Sequence, residues 1–243
     1  MKDRPVASFS WVTMAAVVVA VVWWALEQKG GEGGEGGAGG RAGERAGDEA
    51  PAAVPGGGLA ERPVEEPVRS GGYEVHRGCA LVAARNNDGD SFMVRLPDGR
   101  RAEFRLYFVD APESAFKRYA GGETNHARIR EQAAELGGIT PEQAVEVGRQ
   151  AKGLTLGLLE REPFTLFTRW DSPFRDERYH ALVELRERGK PRWLHELLVE
   201  RGFARLKTKP ADLPDGTPAA RHREHLRDLE RKARRAGVGA WGL

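Results

Sequence analysis

Between Asn86 and Ser114 the chain carries two acidic clusters and, on the strand that leads to the second, an arginine. The first cluster is Asp88-Gly89-Asp90, the second Asp110-Ala111-Pro112-Glu113, and Arg105 stands between them. Carboxylates in this number can hold a hard cation, whose natural ligands are oxygens, or orient and deprotonate a water. A guanidinium grips two oxygens of an anion at once and stays charged at any working pH. Taken singly, each residue has a plainer role. Asp beside Gly commonly just shapes a turn. Chemistry follows only if the fold brings the clusters together.

The residues between them favour that. Phe92, Val94 and Leu96 alternate on one strand, and Phe104, Leu106 and Phe108 on the next. Pro97-Asp98-Gly99-Arg100 supplies the turn, because Asp-Gly accepts the positive φ of a tight hairpin. A hairpin places the clusters at its two outer ends, which antiparallel pairing brings to one edge. Alternation puts Arg105 opposite the apolar face. Since Arg105 and Asp110 are an odd number of residues apart, they meet only if the chain leaves the strand near Val109, and Pro112 is consistent with such a break.

DGDSF followed by FRLYFVDAPES resembles the thermonuclease (staphylococcal nuclease-like) family, as do RYHALVEL at Arg178–Leu185, WLHELLVERGFARL and the closing GAW. The likeness runs from Tyr73 to the C-terminus. It implies an α+β fold, a five-stranded OB-fold β-barrel with about three packed helices. It also implies a Ca²⁺ site made by Asp90, Asp110 and the backbone carbonyl of Ala111, where the family often has threonine. Glu113 would then orient or deprotonate the attacking water, and Arg105 and Arg178 would grip the phosphate. The implied activity is phosphodiester hydrolysis of DNA and/or RNA with low sequence specificity, leaving 3′-phosphates, by a monomeric domain. Lys207 and Lys209 stand where the family often carries base-packing tyrosines, which leaves base preference open. The alternative is a non-catalytic OB-fold module that binds nucleic acid or protein.

The rest of the chain divides into three. Residues 1–27 contain a nearly uncharged run, Val6 to Leu26, long enough to span a bilayer, with Trp23 and Trp24 at its far end and Lys2 and Arg4 before it. It reads as an uncleaved membrane anchor. The rival, a cleaved signal peptide, lacks the small-x-small site after the apolar run. Either way the remainder is expected outside the cytoplasm, periplasmic or extracellular, and secreted if cleavage occurs. Residues 28–72 are rich in Gly, Glu and Pro and read as a flexible tether. They carry five basic and eight acidic residues, while residues 1–27 balance. With +2 on the whole chain, the folded part 73–243 has +5, which suits a polyanionic partner. The single cysteine, Cys79, excludes an internal disulfide and a CxxC metal site.

Within 73–243, Tyr73 to Ala84 reads as the first strand, bent at Gly78. Ser114 to Ile139 is an insertion with a helical stretch, Thr124 to Leu136, of narrow apolar stripe, and reads as surface decoration rather than a flap. Thr140-Pro141-Glu142-Gln143 opens a helix to about Leu159 with a capping box. Strands at Pro163–Trp170 and Arg178–Arg186 follow, then a helix over Pro191–Arg201 and a last helix from Thr217-Pro218 to near Gly237. On that last helix His222-Arg-Glu-His225 has metal-ligand spacing, yet with arginines all round it reads as a solvated basic face.

Overall fold

Among the described residues, strand pairing is already present five residues before the expected domain start. In the computed structural model, which describes residues 68–172 and 177–243, strand β1 (Val68–Ser70) lies within the expected tether and pairs antiparallel with β2 (Tyr73–Leu81). Strands β3 (Ser91–Arg95) and β4 (Arg101–Leu106) form the hairpin, in register Phe92↔Phe104 and Ser91↔Arg105. Its turn is closed by Gly99 at φ 88°, whose N–H donates to Leu96 O at 2.9 Å. After β5 (Val109–Asp110) come helices α1 (His126–Glu135) and α2 (Pro141–Arg161). Strands β6 (Phe164–Thr168), β7 (Arg178–Glu187) and β8 (Lys190–Trp193) precede α3 (Leu194–Glu200), β9 (Arg205–Leu206), α4 (Ala219–Ala236) and a final 3₁₀ turn (Gly239–Gly242).

Five strands close on themselves in the order β2-β3-β4-β7-β6, with β6 pairing back onto β2. All neighbours are antiparallel except β4 and β7. This closed five-stranded α+β barrel with four helices is consistent with an OB-fold. Gly78, at φ 80°, allows the β-bulge between Arg77 and Cys79, where the β2–β6 register shifts. Phe92, Val94, Leu96, Phe104 and Leu106 fill the interior as their alternation requires. Helix α2 starts at the expected box: Gln143 N donates to Thr140 Oγ1 at 3.2 Å, and Thr140 N to Gln143 Oε1 at 2.8 Å.

Three expectations are corrected. The helix foreseen at Pro191 starts at Leu194, because Lys190–Trp193 pair with Glu184–Glu187 as β8. The inserted helix α1 is a packed fourth helix. Ile129, Ala133 and Leu136 join Ala144, Val145 and Val147 of α2 in a second apolar cluster. His222 is buried rather than solvated, whereas His225 is exposed. Among the described residues no helix is long and apolar enough to cross a membrane. The expected anchor and nearly all of the tether lie outside the described residues.

His222 of α4 meets His195 of α3 Nε2 to Nε2 at 2.7 Å, with Phe108 stacked on His195. One ring donates and the other accepts, so two protonated rings do not fit. Burial, then the neighbouring His225, lowers His222 from 6.5 to about 4, and burial with His222 beside it holds His195 well below its ordinary value. A depressed folded pKa contributes stability that is complete above the unfolded value and is lost as pH falls through the folded one. The window is therefore pH 6.5 down to about 4, and His222 alone accounts for about 3 kcal/mol across it. Urea unfolding at pH 7, 5.5 and 4 should show this loss, and His222→Gln should flatten it. An equal slope in both proteins would contradict the assignment.

Candidate active site

Asp90 is fixed from two sides. Thr155 Oγ1 of α2 donates to Gly89 O at 2.7 Å, and Leu106 N of β4 donates to Asp90 O at 2.8 Å. Only glycine fits at position 89, since a Cβ there would stand 2.8 Å from Ala151 Cβ and 2.9 Å from Ala111 Cβ. Asp88 does serve its turn, accepting Gly89 N at 3.0 Å. Asp90 does something else.

The second cluster arrives through a break in the strand. Phe108 has φ 71°, the left-handed region, and makes the departure expected near Val109. A non-glycine residue held there stores about 1–3 kcal/mol. The ring is buried against His195 and His222, which offsets the strain. The break resets the alternation, so Arg105 and Asp110 reach the same side. Phe108 N donates to Lys209 O at 3.0 Å and Lys207 N to Phe108 O at 3.0 Å, which tie the break to the chain around β9. Asp110 pairs with Arg205 in the short β5–β9 ladder.

Arg105 Nη2 donates to Asp90 Oδ2 at 2.9 Å and to Asp110 Oδ1, and Ala111 N donates to Asp90 Oδ2 at 3.1 Å. Asp90, Arg105, Asp110 and Ala111 thus come together. Glu113 joins them through Arg128 of α1, whose Nη2 donates to Asp110 Oδ1 at 2.6 Å and whose Nε donates to Glu113 Oε1 at 3.0 Å. Arg178 is placed differently. It begins β7 opposite Glu103, with Nη1 3.9 Å from Glu103 Oε1, while Arg105 is opposite His180. Register partners share a sheet face, so Arg178 lies on the same outer face as Arg105, two positions along.

Sequence reasoning missed Arg128, Gln132 and Arg205. Gln132, fully buried, donates through Nε2 to Asp110 Oδ2 and Ala111 O, both at 3.0 Å, and accepts Glu113 N at 3.1 Å. Arg205 Nε donates to Asp110 Oδ2 at 2.8 Å, and its Nη1 reaches Glu131 at 3.2 Å and Glu135 at 3.0 Å. The inserted helix is therefore part of the site, not decoration. Its signal was a polar row, Asn125, Arg128 and Gln132 at i, i+3 and i+7, beside the apolar stripe. Lys207 pairs with Glu131 and Glu135, and Lys209 with Asp171.

Charge follows geometry. Burial pushes Asp90 up to about 6 against the pull of Arg105, and Asp110 and Asp88 add to the rise. Burial also acts to raise Asp110, but Arg128 and Arg105, with the Gln132 hydrogen bond and Arg205, outweigh it and hold that carboxyl below its ordinary range. Glu113 is likewise held low: burial opposes, and Lys117 and Arg128 prevail.

Among the described residues no three His, Cys, Asp or Glu side chains form a ready cage for an ion. Asp90, Asp110 and the Ala111 carbonyl offer only hard oxygens, the donor type Ca²⁺ takes. A cationic group already stands on them, since the Arg128 guanidinium bridges Asp110 and Glu113. The donor set fits a hard cation in kind, provided a guanidinium yields. A scan against protein-family models and a search of curated proteins both return no match.

Helix α2 presses directly on the acidic loop at Gly148, where a Cβ would lie 2.5 Å from the carbonyl oxygens of both Pro112 and Glu113. Gly148→Ala should cost about 1–3 kcal/mol, as overpacking of a close contact does. Gly153→Ala, on the same helix with nothing within 4 Å, should stabilise by roughly 0.5–1 kcal/mol. Urea midpoints of the two variants test the pair, and similar shifts in both would refute the close approach.

Proposed function

We propose that the domain is a calcium-dependent nuclease of the thermonuclease type, hydrolysing phosphodiester bonds of DNA and/or RNA with low sequence specificity. The observation that carries this reading is the buried Arg105 guanidinium shared by Asp90 and Asp110, with Glu113 one short loop beyond. A structural ion pair needs one acid. Here two acids from opposite ends of a hairpin meet on one arginine, and a third lies within reach of the same neighbours.

Asp90, Asp110 and the Ala111 carbonyl would hold Ca²⁺. When bound, the ion neutralises phosphate charge and polarises the phosphoryl oxygen. The remaining work belongs to side chains. Glu113 is ionised at neutral pH, since its pKa is held low, and orients or takes a proton from the attacking water. Arg105 and Arg178, on one face of adjacent strands, grip phosphate oxygens and stabilise the charge that develops on them. Lysines at 207 and 209 give this chain no stacking platform at those positions, which fits hydrolysis without strong base preference. The N-terminal apolar run would anchor the domain outside the cytoplasmic membrane through the Gly/Glu tether, with the domain acting as a monomer.

The test is digestion of plasmid and single-stranded DNA and RNA by the full chain, in Ca²⁺ and in chelator, with end-group analysis. Cleavage only in Ca²⁺, leaving 3′-phosphates, is expected. Asp110→Asn and Arg178→Lys should each lower turnover by about 10²–10³-fold, the lysine variant with little loss of stability because it keeps the charge but not the fork. Binding without cleavage in the wild type would instead identify a non-catalytic module.

A further inference from the structure

Three guanidinium groups converge on Asp110, and they are not equivalent. The Arg105 side chain is 10% exposed and also holds Asp90. That of Arg205 is 4% exposed and also holds Glu131 and Glu135. Both are locked between several acids. Arg128 is 40% exposed, projects from the inserted helix, and contacts just the two carboxylates Asp110 and Glu113 among its charged partners.

We propose that Arg128 is an internal counter-cation that occupies the Asp110–Glu113 bridge and competes with a divalent ion for it. This rests on the reading of Asp90 and Asp110 as a cation site. All four bonds described on the Asp110 carboxylate come from protein donors: Arg105 and Arg128 on Oδ1, Gln132 and Arg205 on Oδ2. An incoming ion must therefore displace one of them. Gln132 is fully buried and pinned by Glu113 N and Ala111 O as well. Displacing Arg105 would leave buried Asp90 uncompensated, and Arg205 is itself buried and tied to Glu131 and Glu135 as well. Arg128 alone, with 40% of its side chain already exposed, can swing into water, where its charge is solvated. Helix α1 stays in place when it does, because the helix is held by Ile129, Ala133 and Leu136 and not by the arginine.

The measurement is Ca²⁺ affinity by isothermal titration calorimetry on the full chain in detergent, a readout independent of turnover. Arg128→Gln removes the bridge, and its Kd should fall about tenfold, the scale of one charge-assisted hydrogen bond that no longer has to be broken. Arg130→Gln is the control. It deletes the same charge from an exposed position on the same helix, and its Kd should move by less than about threefold, as a screened surface charge does. Arg128→Lys retains charge but cannot reach both acids at once and should fall between. It also serves if the glutamine variant folds poorly, as judged by near-ultraviolet circular dichroism. Equal affinity in wild type and both Arg128 variants overturns the competition and leaves the nuclease reading standing. Equal tightening by Arg130→Gln overturns it in favour of a general field effect. No Ca²⁺ binding by any of the proteins overturns this proposal and the calcium reading together.

Discussion

Everything around the acidic clusters depends on keeping three carboxylates compensated away from bulk water. An uncompensated buried charge costs several kcal/mol, and removing one partner of a buried pair is among the more damaging changes a protein can suffer. Asp90 and Asp110 are both nearly inaccessible. Arg105 lies between them and offsets their mutual repulsion, and Arg128, Arg105, Gln132 and Arg205 together hold the Asp110 carboxyl below its ordinary range against burial. The barrel supplies Arg105, the insertion supplies Arg128 and Gln132, and the segment after α3 supplies Arg205. Each of these elements is positioned by its own apolar contacts, so the polar network is assembled by the core rather than the reverse.

Much of this was legible beforehand. The hairpin, its Asp-Gly turn, the capping box of α2 and the bend at Gly78 follow from local rules that the tertiary structure does not override. The need for a break between Arg105 and Asp110 also follows from counting residues. The break falls at Phe108, next to the Val109 that the count indicates. No rule would choose a phenylalanine for a left-handed backbone. The choice makes sense only once His195 and His222, more than eighty residues downstream, are seen packing on its ring.

The role of the insertion is hard to read from the sequence for a related reason. A narrow apolar stripe with polar neighbours looks like a loosely held surface helix when its partners are unknown. Here the stripe is narrow because the adjacent face is occupied by hydrogen bonds to Asp110, Ala111 and Glu113. The His222–His225 pair misled in the opposite way. Arginines on either side in sequence point outward, while His222 falls on the buried stripe with Leu226, Leu229 and Ala233. Strand β8 was hidden because Lys190–Trp193 has no alternation and pairs at the sheet edge through its backbone.

The bond from Arg205 to Asp110 spans 95 positions of the chain. During synthesis the acids emerge long before the cation that completes their set, and β7, which must slot alongside β4 in parallel, is also late. A half-made chain therefore carries its acids without their last counter-charge and its barrel without a closing wall. The polar cluster around Asp110 is finished only when the segment after α3 has been delivered, so a chain that is cut or stalled before Arg205 cannot assemble it.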